Sequence, residues 1–388
     1  MKELRAALNA NIAETEAEIV ACSSQLLEFD TSVSQDTNPY EDEIQTARRQ
    51  FGLDKFRPMQ YAAITTALLG RDMLILMPTG SGKSLTFQLP AACASSGLTV
   101  VVTPLLALMS NQTTALRQKG IRVVSTDEIA ISPQTFERTL RRAFLQPVIL
   151  YSTPEKLVGH DRMNHLLDKL HAKGRLTRFA VDEAHCLQWG DWRPALDARF
   201  GEHIRRRFPG VPLTALTATA NSAQIADIER TLQLHKHLTF RLPSNRANLA
   251  YRVVSKPKKA DAMQQLCDEF ILPLHNGHTG IIYCAYKHTT TEVTAYLVRR
   301  GISARHFNGD LSSNERTDTL EAWMSGKFKV VVATNAFGMG IDKRDAVRFV
   351  VHFELPRDMT GYIQETGRAG RDGLPADCLF SASYTLSH

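Results

Sequence analysis

Two short stretches of this chain hold residues suited to phosphate chemistry. Met77–Ser84 reads MPTGSGKS, and Asp182-Glu183-Ala184-His185 follows about a hundred residues later, each at the end of an apolar, strand-like run. In the first stretch, Thr79, Gly80, Ser81, Gly82, Lys83 and Ser84 have the makings of a turn that opens a helix. Glycines let backbone N–H groups close on phosphate oxygens, a lysine there supplies positive charge, and a serine hydroxyl can ligate Mg²⁺. Met77 stands where the strict GxxxxGK[ST] pattern has its first glycine, so the loop is read together with the DEAH carboxylates. Jointly they point to hydrolysis of a nucleoside triphosphate. A third stretch, Gln364-Glu365-Thr366-Gly367-Arg368-Ala369-Gly370-Arg371-Asp372-Gly373, places two arginines three positions apart among small residues. Arginine suits a phosphate cleft because its planar fork stays charged and grips oxygens in pairs.

The elements that must carry these residues follow from apolar runs. β-rich runs recur at Met73–Met77, Thr99–Val102, Val148–Tyr151, Phe179–Val181 and Leu213–Leu216, with helix-like segments between them. That alternation predicts a parallel sheet covered by helices. A second set appears at Gly280–Cys284, Ala304–Phe307, Val330–Ala333 and Val347–His352. Between the sets, the polar and basic stretch at about Leu242–Lys259 reads as a hinge. The expected organisation is two tandem α/β domains, an ATP-binding one over residues 47–242 and a second over 243–388. Ahead of them, Leu8, Ile12, Thr15, Ile19, Cys22, Leu26 and Phe29 recur by threes and fours, which predicts an amphipathic helix. Thr31–Glu43 reads as a linker, so residues 1–46 form an acidic helix and linker. With fewer than four clean heptads, docking on the chain's own body is favoured over a coiled coil. Residues 1–30 are also where a protein partner or a second copy would engage.

Bulk properties narrow the class. The 388 residues are 43% hydrophobic and 22% charged, ordinary for a globular protein of two or three domains. No apolar run approaches the length that spans a bilayer, and the acidic N-terminus resembles no signal peptide. An intracellular protein without membrane contact is expected. The six cysteines are scattered with no CxxC pair, which favours reduced thiols over disulfides or zinc. Residues 1–46 hold two basic and ten acidic side chains, net −8, which leaves +14 on the rest of a +6 chain. A basic body with an acidic leader fits a polyanionic partner.

These residues also carry a resemblance. Phe51-Gly52, Phe56-Arg57-Pro58-Met59-Gln60, MPTGSGKS, DEAH, Thr217–Ala220, Ala333–Asp342 and QETGRAGRDG stand in the order of superfamily 2 helicases, and specifically resemble RecQ DNA helicases over about Phe51 to Phe380. The resemblance implies two RecA-like domains that close on ATP and Mg²⁺. It implies that Gln60 reads adenine with Arg57 nearby, that Lys83 and Ser84 hold phosphates and Mg²⁺, and that Asp182 holds the metal through water. Glu183 would orient or deprotonate the attacking water. His185 would link DEAH to Thr217–Ala220 and Gln364. Arg368 and Arg371 match arginine fingers, which stabilise charge on the γ-phosphoryl group.

Contacts to single-stranded and partly duplex DNA are implied for Thr103–Met109 with Pro104, for Thr153-Pro154-Glu155 and for Thr334. Hydroxyls and loop N–H groups grip a backbone without reading sequence. Ser244–Leu249 resembles the family's linker motif, with Arg246 in it and Ala247 in place of the usual proline. After DEAH the family has an aromatic-rich loop, typically AHCxSQWGHDFRP. Here Ala184–Pro194 is two residues shorter and lacks the second histidine. Trp189 and Trp192 remain able to stack on bases, with Arg193 on phosphate. The family's four-cysteine zinc module and winged helix do not follow, whether the chain is an excised core or a form without them, so no metal besides Mg²⁺ is expected.

The resemblance therefore implies an ATP-dependent DNA helicase moving 3′ to 5′ in DNA repair and recombination. Its place would be the nucleus of a eukaryote or the cytoplasm and nucleoid of a bacterium. The alternatives are an RNA-remodelling ATPase of the same superfamily and a DNA-binding module with uncoupled hydrolysis.

Overall fold

The computed structural model describes residues 38–388 apart from 105, 189–198, 219, 244–245, 339–346 and 383–388. The expected N-terminal helix, and with it Trp189, Trp192 and Arg193, lies outside the described residues. The chain divides into two compact units, Met1–Ser244 and Asn245–His388.

The first unit is built on seven strands: β1 (Met73–Leu76), β2 (Gly97–Val102), β3 (Val123–Ser125), β4 (Pro147–Ser152), β5 (Leu176–Val181), β6 (Leu213–Thr217) and β7 (Leu238–Arg241). They form one sheet in the order β3-β4-β2-β5-β6-β1-β7, and every pair is parallel. β1 and β2 are buried at every position, which explains their unbroken apolar runs: helices cover both faces. The sequence showed five of the seven strands. The other two, β3 and β7, are the short edges, where a few residues and one neighbour leave too little apolar signal.

The second unit has six strands: β8 (Leu249–Ser255), β9 (Thr279–Tyr283), β10 (Ala304–Phe307), β11 (Val330–Ala333), β12 (Val347–His352) and β13 (Ala376–Ala382). Their order is β10-β11-β9-β12-β13-β8, again all parallel. Much of the stretch expected as a hinge is strand β8, paired with β13 from Leu249↔Ala376 to Ser255↔Ala382. As an edge strand it buries only Leu249 fully, so its polar sequence gave no sign of it.

The first described helix, Glu41–Gln50, begins inside the stretch expected as a linker. Glu41, Asp42 and Glu43 in its first turn and Arg48 and Arg49 in its last complement the helix dipole. Its few apolar residues are well used. Ile44, Ala47 and Phe51 join a core that includes Phe87 and Ala91 of Leu85–Cys93, the helix that follows the phosphate loop. Just ahead, buried Asn38 donates to Tyr61 Oη at 2.8 Å and Thr65 Oγ1 at 3.0 Å. The acidic leader therefore gives way to packed structure before residue 46.

A buried cation fixes the start of β1. Arg178 on β5 donates to the carbonyls of Ala67 (2.7 Å) and Arg71 (3.0 Å) and to Thr214 Oγ1 (2.8 Å). Burial pulls its pKa down to about 10, against the pull of Asp72, so it stays charged at neutral pH. Asp72, one residue before β1, accepts from Leu213 N at 2.7 Å and pairs with Arg205. Among the described residues the five cysteines are free, and no helix is long and apolar enough to cross a membrane.

Ile44 is fully buried against the helix that carries the phosphate loop. Ile44→Ala should lower the unfolding free energy by about 2–5 kcal/mol in chemical denaturation. A denaturation midpoint equal to the parent's would show that Glu41–Gln50 is not part of this core.

Candidate functional site

In a parallel sheet the chain leaves each strand at the same edge, so loops at the carboxyl ends gather there. The first unit uses this rule twice. Lys83 and Ser84 follow β1, Asp182 and Glu183 follow β5, and Thr217 ends β6, all on adjacent strands. Thr103-Pro104 follows β2 and Thr153 follows β4, on the other half of the same edge.

Lys83 is buried between the two carboxylates, its Nζ 3.7 Å from Asp182 Oδ1 and 3.6 Å from Glu183 Oε2. Burial works against its charge, yet Glu183 and Asp182 outweigh burial and hold the lysine protonated. Asp182 is pushed upward by its own burial, with Glu183 adding to the push and Lys83 opposing it. Two carboxylates thus hold one buried ammonium.

Backbone geometry places the pair. Asp182 N donates to Val102 O at 2.9 Å and extends the β2–β5 ladder by one residue. Glu183 then adopts a left-handed conformation (φ 53°), unusual without glycine, and its N–H bonds Asp182 Oδ1 at 3.0 Å. Such a backbone costs on the order of 1–3 kcal/mol and marks a functional constraint. His185 is also buried, with Nδ1 2.9 Å from Thr217 Oγ1 and 3.5 Å from Glu183 Oε2. DEAH is thereby tied to the end of β6; Thr219 lies outside the described residues.

The loop Thr79–Ser84 turns through two left-handed glycines, Gly80 (φ 84°) and Gly82 (φ 83°). A Cβ on Gly82 would lie 2.3 Å from Gln60 Nε2. That contact gives Gln60 a partner the sequence did not foresee. Its amide nitrogen donates to the carbonyls of Ser81 (3.2 Å) and Gly82 (3.1 Å), and its oxygen accepts from Arg57 N at 2.8 Å. Arg57 in turn donates to Gly80 O. Both residues expected beside a base hold the phosphate loop.

A polar network behind the loop had no signal in the sequence. Gln112, on the helix Leu106–Gln118, directs Nε2 toward Ser84 Oγ at 3.5 Å. Its Oε1 accepts from Tyr151 Oη at 2.6 Å and from Gln88 Nε2 at 3.2 Å. Gln88 Nε2 also donates to Tyr151 Oη at 2.9 Å. Glutamines within helices match no short motif, so only packing reveals them.

The residues expected to grip a strand stand at carboxyl ends of strands but are largely covered. Thr153 is 6% exposed, and its hydroxyl caps the helix Pro154–Gly159 by accepting from Lys156 N. Thr334, 8% exposed, follows β11, and Pro104 is buried.

In the second unit the arginine turn is clamped. Arg246 donates to the carbonyls of Gly367 (3.0 Å), Ala369 (2.9 Å) and Gly370. The side chain expected on DNA therefore shapes the segment between Arg368 and Arg371. Asn248 adds bonds to Gly370 O (2.9 Å) and Leu374 O (2.8 Å). Gly370 is left-handed (φ 55°), and a Cβ there would meet Asn248 Nδ2 at 2.5 Å, so only glycine fits. Gln364 is half-buried on the helix Met359–Thr366, and its neighbour Glu365 bonds buried His352 at 2.7 Å.

Comparison with known proteins agrees with this layout. The chain matches the DEAD/DEAH box helicase family over residues 57–228 and the helicase conserved C-terminal domain over residues 259–373. It is 39% identical over 338 residues to ATP-dependent DNA helicase Q1 of Rattus norvegicus, covering 86% of this chain and 54% of that protein. It is 41% identical over 348 residues to ATP-dependent DNA helicase hus2/rqh1 of Schizosaccharomyces pombe, covering 87% and 26%. The chain spans about half the length of its Q1 relatives, 51% to 56%. The solved structure of S. cerevisiae Dbp5 bound to RNA and ADP BeF3 matches with TM-score 0.65 and 20% identity, covering 88% of this chain and 87% of that one, a likeness of fold. With both helicase domains in order and 38% to 41% identity to RecQ-type helicases over most of its length, the chain belongs to the RecQ family of superfamily 2 helicases.

Proposed function

We propose that this chain is the motor of an ATP- and Mg²⁺-dependent DNA helicase, moving 3′ to 5′ on single-stranded DNA and unwinding duplexes for repair and recombination. The observation that carries this reading is Lys83 held between Asp182 and Glu183 at the mouth of a glycine turn. Lys83 and the turn would bind the β- and γ-phosphates, and Glu183 would orient the attacking water and take its proton. His185, bonded to Thr217, lies 3.5 Å from the same Glu183 Oε2 that faces Lys83.

The donor set fits Mg²⁺. Ser84 and Asp182 offer hard oxygens of the kind that Mg²⁺ takes. Among the described residues no three His, Cys, Asp or Glu converge to hold a metal. Phosphate oxygens and water would supply the remaining coordination. Ser84 and, through water, Asp182 would hold the cation, which would neutralise charge developing on the phosphates.

Arg368 and Arg371 would stabilise that charge as fingers, in a turn pre-shaped by Arg246. Gln60 and Arg57 are proposed to leave the loop carbonyls for the adenine when nucleotide binds. The DNA substrate is supported by the names of the relatives and by the excess of basic residues after residue 46. Such a protein works where the cell keeps its DNA. Trp189, Trp192 and Arg193 would hold the strand, with Thr153, Pro104 and Thr334 lining its path.

Steady-state ATPase measured with and without short single-stranded DNA and RNA tests the function. DNA should stimulate turnover more than RNA. Glu183→Gln should abolish turnover yet still bind ATP, since Lys83 and Asp182 remain. Ordinary hydrolysis by folded Glu183→Gln would remove that residue from the chemistry, and greater stimulation by RNA would favour an RNA-remodelling ATPase.

Arg368→Ala and Arg371→Ala should each cut the rate constant by about 10³ or more while changing ATP affinity little. Wild-type rates in both would exclude a finger role.

Trp189→Ala combined with Trp192→Ala should spare basal hydrolysis and weaken stimulation by single-stranded DNA, with affinity down about 5- to 100-fold. A lower melting temperature together with lost basal activity would instead identify the tryptophans as core plugs.

A further inference from the structure

The phosphate-binding side chains and the segments expected on a strand occupy opposite halves of one sheet edge, and a single side chain bridges them. Gln112 lies on the helix that begins two residues after Pro104, and Tyr151 lies on β4 two residues before Thr153. Between them, Gln112 Oε1 accepts from Tyr151 Oη at 2.6 Å and from Gln88 Nε2 at 3.2 Å. Two donors on Oε1 fix the sense of the amide, so Nε2 must face the other way. There it meets Ser84 Oγ at 3.5 Å. Tyr151 is 1% exposed, so water cannot substitute for its hydroxyl in this arrangement.

We propose that Gln112 is a positioning residue that aims Ser84 at the catalytic cation and makes its aim depend on the strand-facing segments Thr103-Pro104 and Thr153–Glu155. This rests on the ATPase reading above and adds to it the physical link between strand and metal. Partners that orient metal ligands act on affinity for the ion as well as on rate. A shift of the helix start, or of the end of β4, moves one side of the Gln112 amide. Oε1 is held by Tyr151 on β4 and by Gln88 on the helix Leu85–Cys93, so a displacement of β4 reaches Nε2 through the Tyr151 bond. Ser84 Oγ then gains or loses a donor on one lone pair. Gln112 lies outside the stretches that the sequence singled out, and its effect runs through Ser84.

The test is binding of a fluorescent, non-hydrolysable ATP analogue to the full chain, titrated with Mg²⁺, with and without a short oligothymidine. In the parent, the strand should lower the Mg²⁺ concentration at half-saturation. Gln112→Leu should raise that concentration by about 10- to 100-fold and remove its response to the strand. Affinity for the analogue in EDTA should stay near the parent's, a split that general loss of structure would not produce. Tyr151→Phe, which removes one hydroxyl and keeps the ring, should shift the half-saturation in the same direction by less. If folded Gln112→Leu matches the parent in both Mg²⁺ requirement and strand response, the relay is wrong. Should Gln112→Leu fail to fold, Tyr151→Phe decides by the same criterion. A parent whose analogue binding ignores both Mg²⁺ and strand would overturn the ATPase reading and the relay with it, whereas a responsive parent with unresponsive variants supports both.

Discussion

A buried lysine facing two carboxylates is the interaction on which the first unit is arranged. Taking Lys83 out of water is unfavourable unless opposite charge waits for it, and one carboxylate would have made a neutral, self-satisfied pair. Two carboxylates, at 3.7 and 3.6 Å, hold it charged where burial alone would not. The left-handed turn at Glu183, the extra rung of sheet at Asp182 and the Arg178 tie beneath β1 all hold that geometry in place.

The phosphate loop itself is held from behind. Gln60 and Arg57 bond three of its carbonyls, at Gly80, Ser81 and Gly82. A loop that must later offer its N–H groups has its carbonyls fixed first, which sets the direction of the peptides. The second unit repeats the device with different residues. Arg246 and Asn248 take the carbonyls of Gly367, Ala369 and Gly370, and the turn between Arg368 and Arg371 is shaped from its backbone side. In each unit, polar side chains that sequence would assign to a ligand are occupied in shaping the loop beside it.

Sheet topology divides the labour. With β1, β6 and β5 adjacent and β2 and β4 beyond them, phosphate chemistry falls on one half of the edge and the expected strand path on the other. The Gln112–Tyr151–Gln88 cluster lies at the seam. Buried polar networks of this kind are stable only when every member is satisfied, so they transmit displacement instead of absorbing it.

Sequence alone determined the two α/β units and nine of the thirteen described strands, and it singled out Lys83, Ser84, Asp182, Glu183, Arg368 and Arg371 by type and spacing. Those features are local: an unbroken apolar run means a strand buried on both faces, and a glycine turn before a lysine has one common use. Tertiary structure decided the rest. Edge strands β3, β7 and β8 need no two-sided apolar pattern, and β13 follows the arginine turn without a gap the eye would stop at, so none of the four stood out. The helix Glu41–Gln50 is mostly charged and is recognised by where Ile44 goes. Whether Gln60 faces a base or a loop, whether Arg246 faces a strand or three carbonyls, and that Gln112 meets Ser84 at all, depend on residues tens of positions apart coming within about 3 Å. A side chain's donors and acceptors are written in the sequence, but their partners exist only once the sheet has brought distant segments to one edge.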